Sequence, residues 1–205
     1  MLMENNPYQN DAALERSLRH LQRYKWYRKE EYLLYSAFDA RLCIEQTLFV
    51  YLVLIMDFEL SKSLEKLYRA EDLKKTILHH EPLFIKKIEF FSMFTKHLPG
   101  GRAVGIPDLD LISKSYGLIN NYLHSQKRPE KTWGVPSWWQ ELEHSLEIAL
   151  THLSAICRGS MGTIRLNESG QLLFDQFVSG KITASEVQET LDAALSRKPM
   201  TRATE

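Results

Sequence analysis

Asn120 and His124 stand four residues apart in the run Asn120-Asn121-Tyr122-Leu123-His124, so on a helix they share a face. An imidazole placed there can act as an acid or base near neutral pH. Its competing role is structural: a histidine at a helix C-terminus interacts with the last carbonyls and with the helix dipole. A second pair, Arg41 and Glu45, is also four apart, and it interrupts an apolar helical stripe. Stranding one charge in such a place costs several kcal/mol, so the two must be paired or catalytic. The expectation is a structural polar pair that ties this helix to its neighbours; the alternative is a polar pocket inside a bundle.

Other constellations fall short of a site. Gly100-Gly101 has no following Lys-Ser/Thr, and no His-Glu-x-x-His occurs. Glu141 and His144 form the sole Glu-x-x-His, whereas a di-iron bundle needs two such motifs and two further glutamates. His79-His80-Glu81 could ligate a metal, but adjacent helical residues point ~100° apart, and an exposed helix end is expected. Cys43 and Cys157 cannot build a disulfide framework or a four-cysteine zinc site. Each sits in an apolar helical pattern and reads as a small buried hydrophobe. No metal and no cofactor is expected.

The elements that must position these groups are helical nearly everywhere, because apolar residues recur at three-four spacing. The first helix is expected from Asn10 or Asp11 to about Arg28, with Leu14, Leu18, Leu21 and Trp26 inward. Arg16, Arg19, Arg23, Lys25, Arg28 and Lys29 make its other side the most basic stretch of the chain. The second, from about Glu31 to Phe58, carries one stripe through Leu34, Ala37, Ile44, Leu48 and Leu52 and another through Tyr35, Leu42, Phe49 and Val53. Apolar on most of its circumference, it should be central and buried. Weaker helices follow between Ser61 and His80, and another runs from Pro82 to about His97. Asp108 to His124 is the cleanest, with Leu109, Ile112, Tyr116, Ile119 and Leu123 along one seam. The last long helix is expected to begin at Ser137, where Ser-Trp-Trp-Gln fits a capping box, and to run to Ile156. Two short helices near 169–178 and 185–195 come after a composition shift at Arg158-Gly159-Ser160-Met161-Gly162. Gly180 suits the end of the first, and Thr183 with Glu186 the cap of the second.

The fold class is therefore all-α: an up-and-down bundle of four to five long helices over 1–158 and a small helical appendage over 163–205. The 205 residues fit one domain with such an addition. Lys plus Arg number 26 against 26 Asp plus Glu, which argues against bulk electrostatic capture of nucleic acid or anionic membrane and leaves only a local patch. The longest apolar run, Leu48 to Met56, is far below the roughly 20 residues a spanning helix needs. With no signal peptide and few cysteines, a cytoplasmic protein is expected.

The segments "ARLCIEQTLF" on the second helix and "YGLINNYLHSQ" at the end of a later one resemble the HEPN superfamily over roughly Glu31 to Cys157. The likeness implies a small helical bundle, a possible homodimer, and a place in bacterial defence, toxin–antitoxin or mobile-element systems. A protein partner encoded nearby, or RNA, is the implied ligand. Active members are metal-independent ribonucleases whose motif is an arginine, a polar residue directly after it, and a histidine four to six residues further on. His124 matches the histidine and Asn120 the polar residue. Gly117, Leu118 and Ile119 stand where the arginine belongs, and none of them can stabilise charge on a cleaved phosphate. The resemblance thus favours a non-catalytic binding member, with Asn121, Tyr122, Arg128, Lys131 and Trp133 as the contact residues. The alternative is a ribonuclease using His124 and Asn120, with Arg41 or the Arg128 loop in the arginine's place. More faintly, "IRLNESGQLLFDQFVSGKITASEVQETL" is similar to the helical end of PqqD-type peptide-recognition domains, without the strands those domains use; a plain helical hairpin is the expected form.

Overall fold

A computed structural model describes residues 11–98, 101, 103–124, 135–157 and 166–196. They form eight α-helices: α1 (Asp11–Tyr27), α2 (Glu30–Ile55), α3 (Ala70–His80), α4 (Phe84–Lys96), α5 (Leu109–Leu123), α6 (Pro136–Cys157), α7 (Glu168–Val178) and α8 (Ala184–Ser196), with a 3₁₀ turn at Leu64–Lys66. No strand occurs among the described residues. None of the helices is long and apolar enough to cross a membrane.

The chain divides into two compact units. The first comprises 1–82 and 107–158, and the second comprises 83–106 and 159–205. This differs from the division read in the sequence by one element: α4 belongs with the C-terminal helices. The reason lies in its aromatic face. Phe90 and Met93 share a core with Phe177 of α7 and Val187 of α8, and Phe91, Phe94 and Phe174 pack against it. Phe90 meets Phe174 edge-on at 5.1 Å between ring centroids.

In the first unit α2 is the central element, packing on α1, α3, α5 and α6. Leu33, Ala37, Ala40, Ile44, Leu48 and Leu52 are fully buried along it. Its approach to α1 is close because the contact residues are serines: Ser17 Oγ donates to the Ser36 carbonyl (2.7 Å) and Ser36 Oγ to the Ser17 carbonyl (2.9 Å). Arg28, at φ 53°, turns the chain from one helix to the next. Trp26 does not face inward as expected. It is 69% exposed, because Tyr24 takes the inner position and residue 26 lies ~200° around the helix from it. Tyr35 and the neighbouring Phe38 are likewise exposed, so α2 is not buried all round.

The helix ends follow local chemistry. Asp108 caps α5, its carboxylate accepting from the backbone N–H of Asp110 and Leu111. The Asp108 N–H in turn donates to His152 Nε2 on α6 at 3.0 Å, which fixes where α5 begins. Lys74 with Asp110, and Ser113 with Glu71, tie α3 to α5. α6 starts at Pro136 rather than Ser137: proline has no N–H to lose and its φ is already helical, so it suits the first helical position. In the second unit Gly180, at φ 77°, closes α7. Its N–H donates to the Phe177 carbonyl and that of Lys181 to the Gln176 carbonyl, a Schellman ending that satisfies both. Thr183 and Glu186 form the expected capping box, with Thr183 N–H donating to Glu186 Oε2 and Glu186 N–H to Thr183 Oγ1.

Burial holds the His152 imidazole below the ordinary histidine value, partly opposed by Asp108. A depressed folded-state pKa means that the unfolded chain binds the proton more readily, so stability rises with pH through this window. Thermal melts should therefore show stability falling as pH drops below about 6.5, and His152→Gln should flatten that dependence. Truncation after Arg158 removes the helices that cover Phe90 and Met93 while leaving α4 in place. The fragment should bind a hydrophobic dye and aggregate, and a soluble fragment melting as cooperatively as the full chain would contradict this packing.

Candidate functional site

One polar cluster lies between α2 and α5 in the first unit. Arg41 Nε donates to Glu45 Oε1 at 3.0 Å, one helical turn along α2. The Tyr116 hydroxyl donates to the same carboxylate oxygen at 3.0 Å, and the Arg41 guanidinium carbon stands 5.7 Å from the Tyr116 ring centre. Arg41 Nη1 is 3.5 Å from His124 Nε2. An arginine can only donate, so this contact engages the imidazole lone pair on Nε2 and is lost if that nitrogen carries a proton.

Helical geometry explains the convergence. Arg41 and Glu45 lie on one flank of α2, the flank turned to α5; Tyr116, Asn120 and His124 recur every four residues on α5 and so form one row. His124 is the C-cap, its N–H donating to the Asn120 carbonyl. The Asn120 side-chain oxygen is buried and has no hydrogen-bond partner among the described residues, which is a costly arrangement. Arg41 and Glu45 pair along α2; Tyr116, 71 residues from Glu45, and His124, 83 residues from Arg41, join them.

The electrostatics of the cluster are self-contained. Burial pulls the Arg41 guanidinium down, but the hydrogen bond and the charge of Glu45 more than offset it, so Arg41 sits above its ordinary value. Burial raises the Tyr116 phenol, and the Glu45 carboxylate raises it further, with Arg41 opposing. At neutral pH the phenol is therefore a hydrogen-bond donor. One guanidinium faces one carboxylate, and the pair adds no net charge. Arg41, whose side chain is 24% exposed, carries five N–H donors, more than its contacts with Glu45, His124 and Tyr116 use, and can receive an acceptor atom from a ligand. A search of known families, curated proteins and solved structures gives no match.

The other expected site residues divide. Asn121 is exposed beside the cluster. Tyr122, expected at a contact surface, is buried instead; its hydroxyl donates to Glu141 at 2.8 Å and its ring meets Trp138 at 4.9 Å. Two residues before His124, and so ~200° from it around the helix, Tyr122 turns inward, away from the row of Tyr116 and His124. Arg128, Lys131 and Trp133 lie outside the described residues. Tyr116 is the participant that sequence reasoning used only as a core residue; its place one turn before Asn120 was the available signal.

The two cysteines both meet Thr47, whose hydroxyl donates to the Cys43 carbonyl at 2.7 Å and lies 3.8 Å from Cys157 Sγ. Cys43 is fully buried, whereas Cys157 is half-buried. Among the described residues no group of three His, Cys, Asp or Glu side chains could hold a metal ion.

Replacing Arg41 alone leaves the Glu45 carboxylate, whose side chain is 18% exposed, with the phenol as its remaining partner. Arg41→Met should cost roughly 1–3 kcal/mol in chemical denaturation. The double variant Arg41→Met/Glu45→Gln should recover part of this loss, because the stranded charge is gone.

Proposed function

We propose that this chain is a HEPN-like helical binding component of a bacterial defence, toxin–antitoxin or mobile-element system, with the α2–α5 cluster as the contact site for a protein partner or RNA. The observation that carries the reading is the meeting of Arg41 and His124 at 3.5 Å while Glu45 neutralises the guanidinium. Together with the resemblance of the two segments that supply these residues, it supports a polar recognition site with donors to spare. Cleavage of a phosphodiester asks for a cation aimed at the developing charge. Here that cation is already held by a carboxylate, and the polypeptide offers no second arginine in the motif position: Gly117, Leu118 and Ile119 stand there, and Ile119 is fully buried.

A second reading is favoured by the same pair. In a metal-independent ribonuclease, His124 Nε2 would take the proton of the ribose 2′-hydroxyl as that oxygen attacks phosphorus. The Arg41 guanidinium would stabilise the phosphorane; the P–O5′ bond would then break to leave a 2′,3′-cyclic phosphate, the departing 5′-oxygen taking a proton from water and His124 returning its own to solvent.

The two readings separate in one assay. Wild type and His124→Ala are incubated with single-stranded and structured RNA in chelator, and binding to the proteins co-expressed from adjacent genes is measured in parallel. The expected result is no cleavage above the protein-free control for either protein, with partner or RNA binding weakened at least tenfold in His124→Ala. Robust cleavage by wild type that disappears in His124→Ala would replace the binding reading with the ribonuclease. An unaltered binding profile in the variant would remove the cluster from either role.

A further inference from the structure

On the opposite flank of α2, facing α1, aromatic rings are laid side by side at the surface. Tyr27 and Tyr32 have ring centres 6.2 Å apart, Tyr32 and His20 6.3 Å, and His20 and Tyr35 5.4 Å. Tyr27 is 62% exposed and Tyr35 55%. These are large apolar faces left in water at a place where the chain could have used polar residues, since the outer turns of α1 are otherwise charged. Four rings in three successive contacts on adjacent helices form a platform and not scattered exposure.

The charge around the platform is uneven. Three nearby cations of this helix pair are matched: Arg16 with Asp39, Lys25 with Glu147 and Arg28 with Glu143. Arg19, Arg23 and Lys29 are exposed and have no carboxylate partner among the described residues. By helical spacing Arg23 lies one turn from both Arg19 and Tyr27, and Lys29 follows Tyr27 at the turn into α2. Glu15, one turn before Arg19, and Glu30 and Glu31 at the start of α2 are exposed at the margins of the patch. Arg19 and Arg23, one turn apart on the side of α1 that carries Tyr27, thus set two unpaired guanidiniums beside exposed rings.

We infer that the Tyr27–Tyr32–His20–Tyr35 platform, with Arg19, Arg23 and Lys29, binds single-stranded nucleic acid. Bases have flat π-faces that stack on aromatic side chains whatever their sequence, and the backbone supplies the phosphates that unpaired cations attract. A duplex keeps its bases stacked inside and offers nothing to the rings. A protein partner would use the rings equally well, but it would be expected to bring carboxylates for three cations at once, whereas a nucleic-acid strand brings an anion with every nucleotide. This surface uses none of the residues of the α2–α5 cluster, so it stands or falls apart from the function proposed above.

The test uses the full chain and a fluorescein-labelled twelve-nucleotide oligo(U) RNA, read by fluorescence anisotropy in chelator at two salt concentrations. Wild type should bind, with affinity falling as salt rises, and unlabelled duplex of equal length should compete poorly. Tyr27→Ala/Tyr35→Ala should weaken binding at least tenfold, in keeping with the roughly 5–150-fold per base that stacking contributes. Tyr27→Phe/Tyr35→Phe should restore most of it. Arg19→Glu/Arg23→Glu should weaken binding at least tenfold and flatten the salt dependence, while Lys181→Glu, an exposed charge reversal in the second unit, binds as wild type. All substituted side chains are exposed, and circular dichroism melts should coincide with wild type. Absence of binding by wild type would overturn the inference, and so would retention of full affinity in both patch variants. Loss of RNA binding in His124→Ala alone would place the strand at the α2–α5 cluster and equally overturn it. A protein partner lost on Tyr27→Ala/Tyr35→Ala, with no RNA bound by wild type, would make the platform a protein interface instead.

Discussion

The first unit depends on one helix having to satisfy neighbours on almost every side. α2 gives its inner stripe to the core, its serine-lined flank to α1, and its Arg41–Glu45 flank to α5. Each neighbour constrains the rotation of α2 about its own axis, so the three requirements fix one register. The Ser17–Ser36 exchange sets it at one flank with two reciprocal hydrogen bonds, and the Arg41–Glu45–Tyr116 bonds set it at the other. A buried polar contact tolerates less sliding than an apolar one, because a shifted partner leaves an unsatisfied donor or acceptor. The cluster that gives the protein its candidate chemistry is therefore also part of what holds its central helix in place.

This double duty shapes how the site can work. A guanidinium that is bonded to a carboxylate, stacked near a phenol and touching an imidazole is preorganised, with most of its rotameric freedom already lost on folding. A ligand that accepts from its remaining N–H groups has little side-chain ordering left to impose. The same bonds keep the local charge near zero, which suits selective recognition through directed hydrogen bonds more than attraction of any passing anion.

Much of this architecture is legible in the residues. Periodicity locates all the long helices, and Asp108, Gly180 and Thr183 with Glu186 mark ends that the structure bears out, because caps are decided by backbone chemistry within a few residues. The pairing of Arg41 with Glu45 is equally local. What sequence could not supply was distance. The partnership of α4 with α7 and α8 joins segments some eighty residues apart, and α4 carries the same apolar spacing whichever neighbour it serves. The inward turn of Tyr122 and the outward turns of Trp26 and Tyr35 come from the choice of which apolar stripe faces the core when a helix carries more than one. Periodicity offers the stripes, and packing chooses between them.

The interleaved course of the chain has a kinetic side. It leaves the first unit after residue 82, returns at 107 and leaves again after 158. During synthesis from the N-terminus, α4 emerges long before α7 and α8 exist. At about 5–20 residues per second, its phenylalanines wait on the order of 5–20 s for their partners. A nascent chain in that interval displays a sticky aromatic helix to everything around the ribosome. Its yield in the cell should hinge on whether chaperones shelter that helix until the last forty residues arrive, and a slow stretch of translation between α6 and α7 would lengthen the exposure.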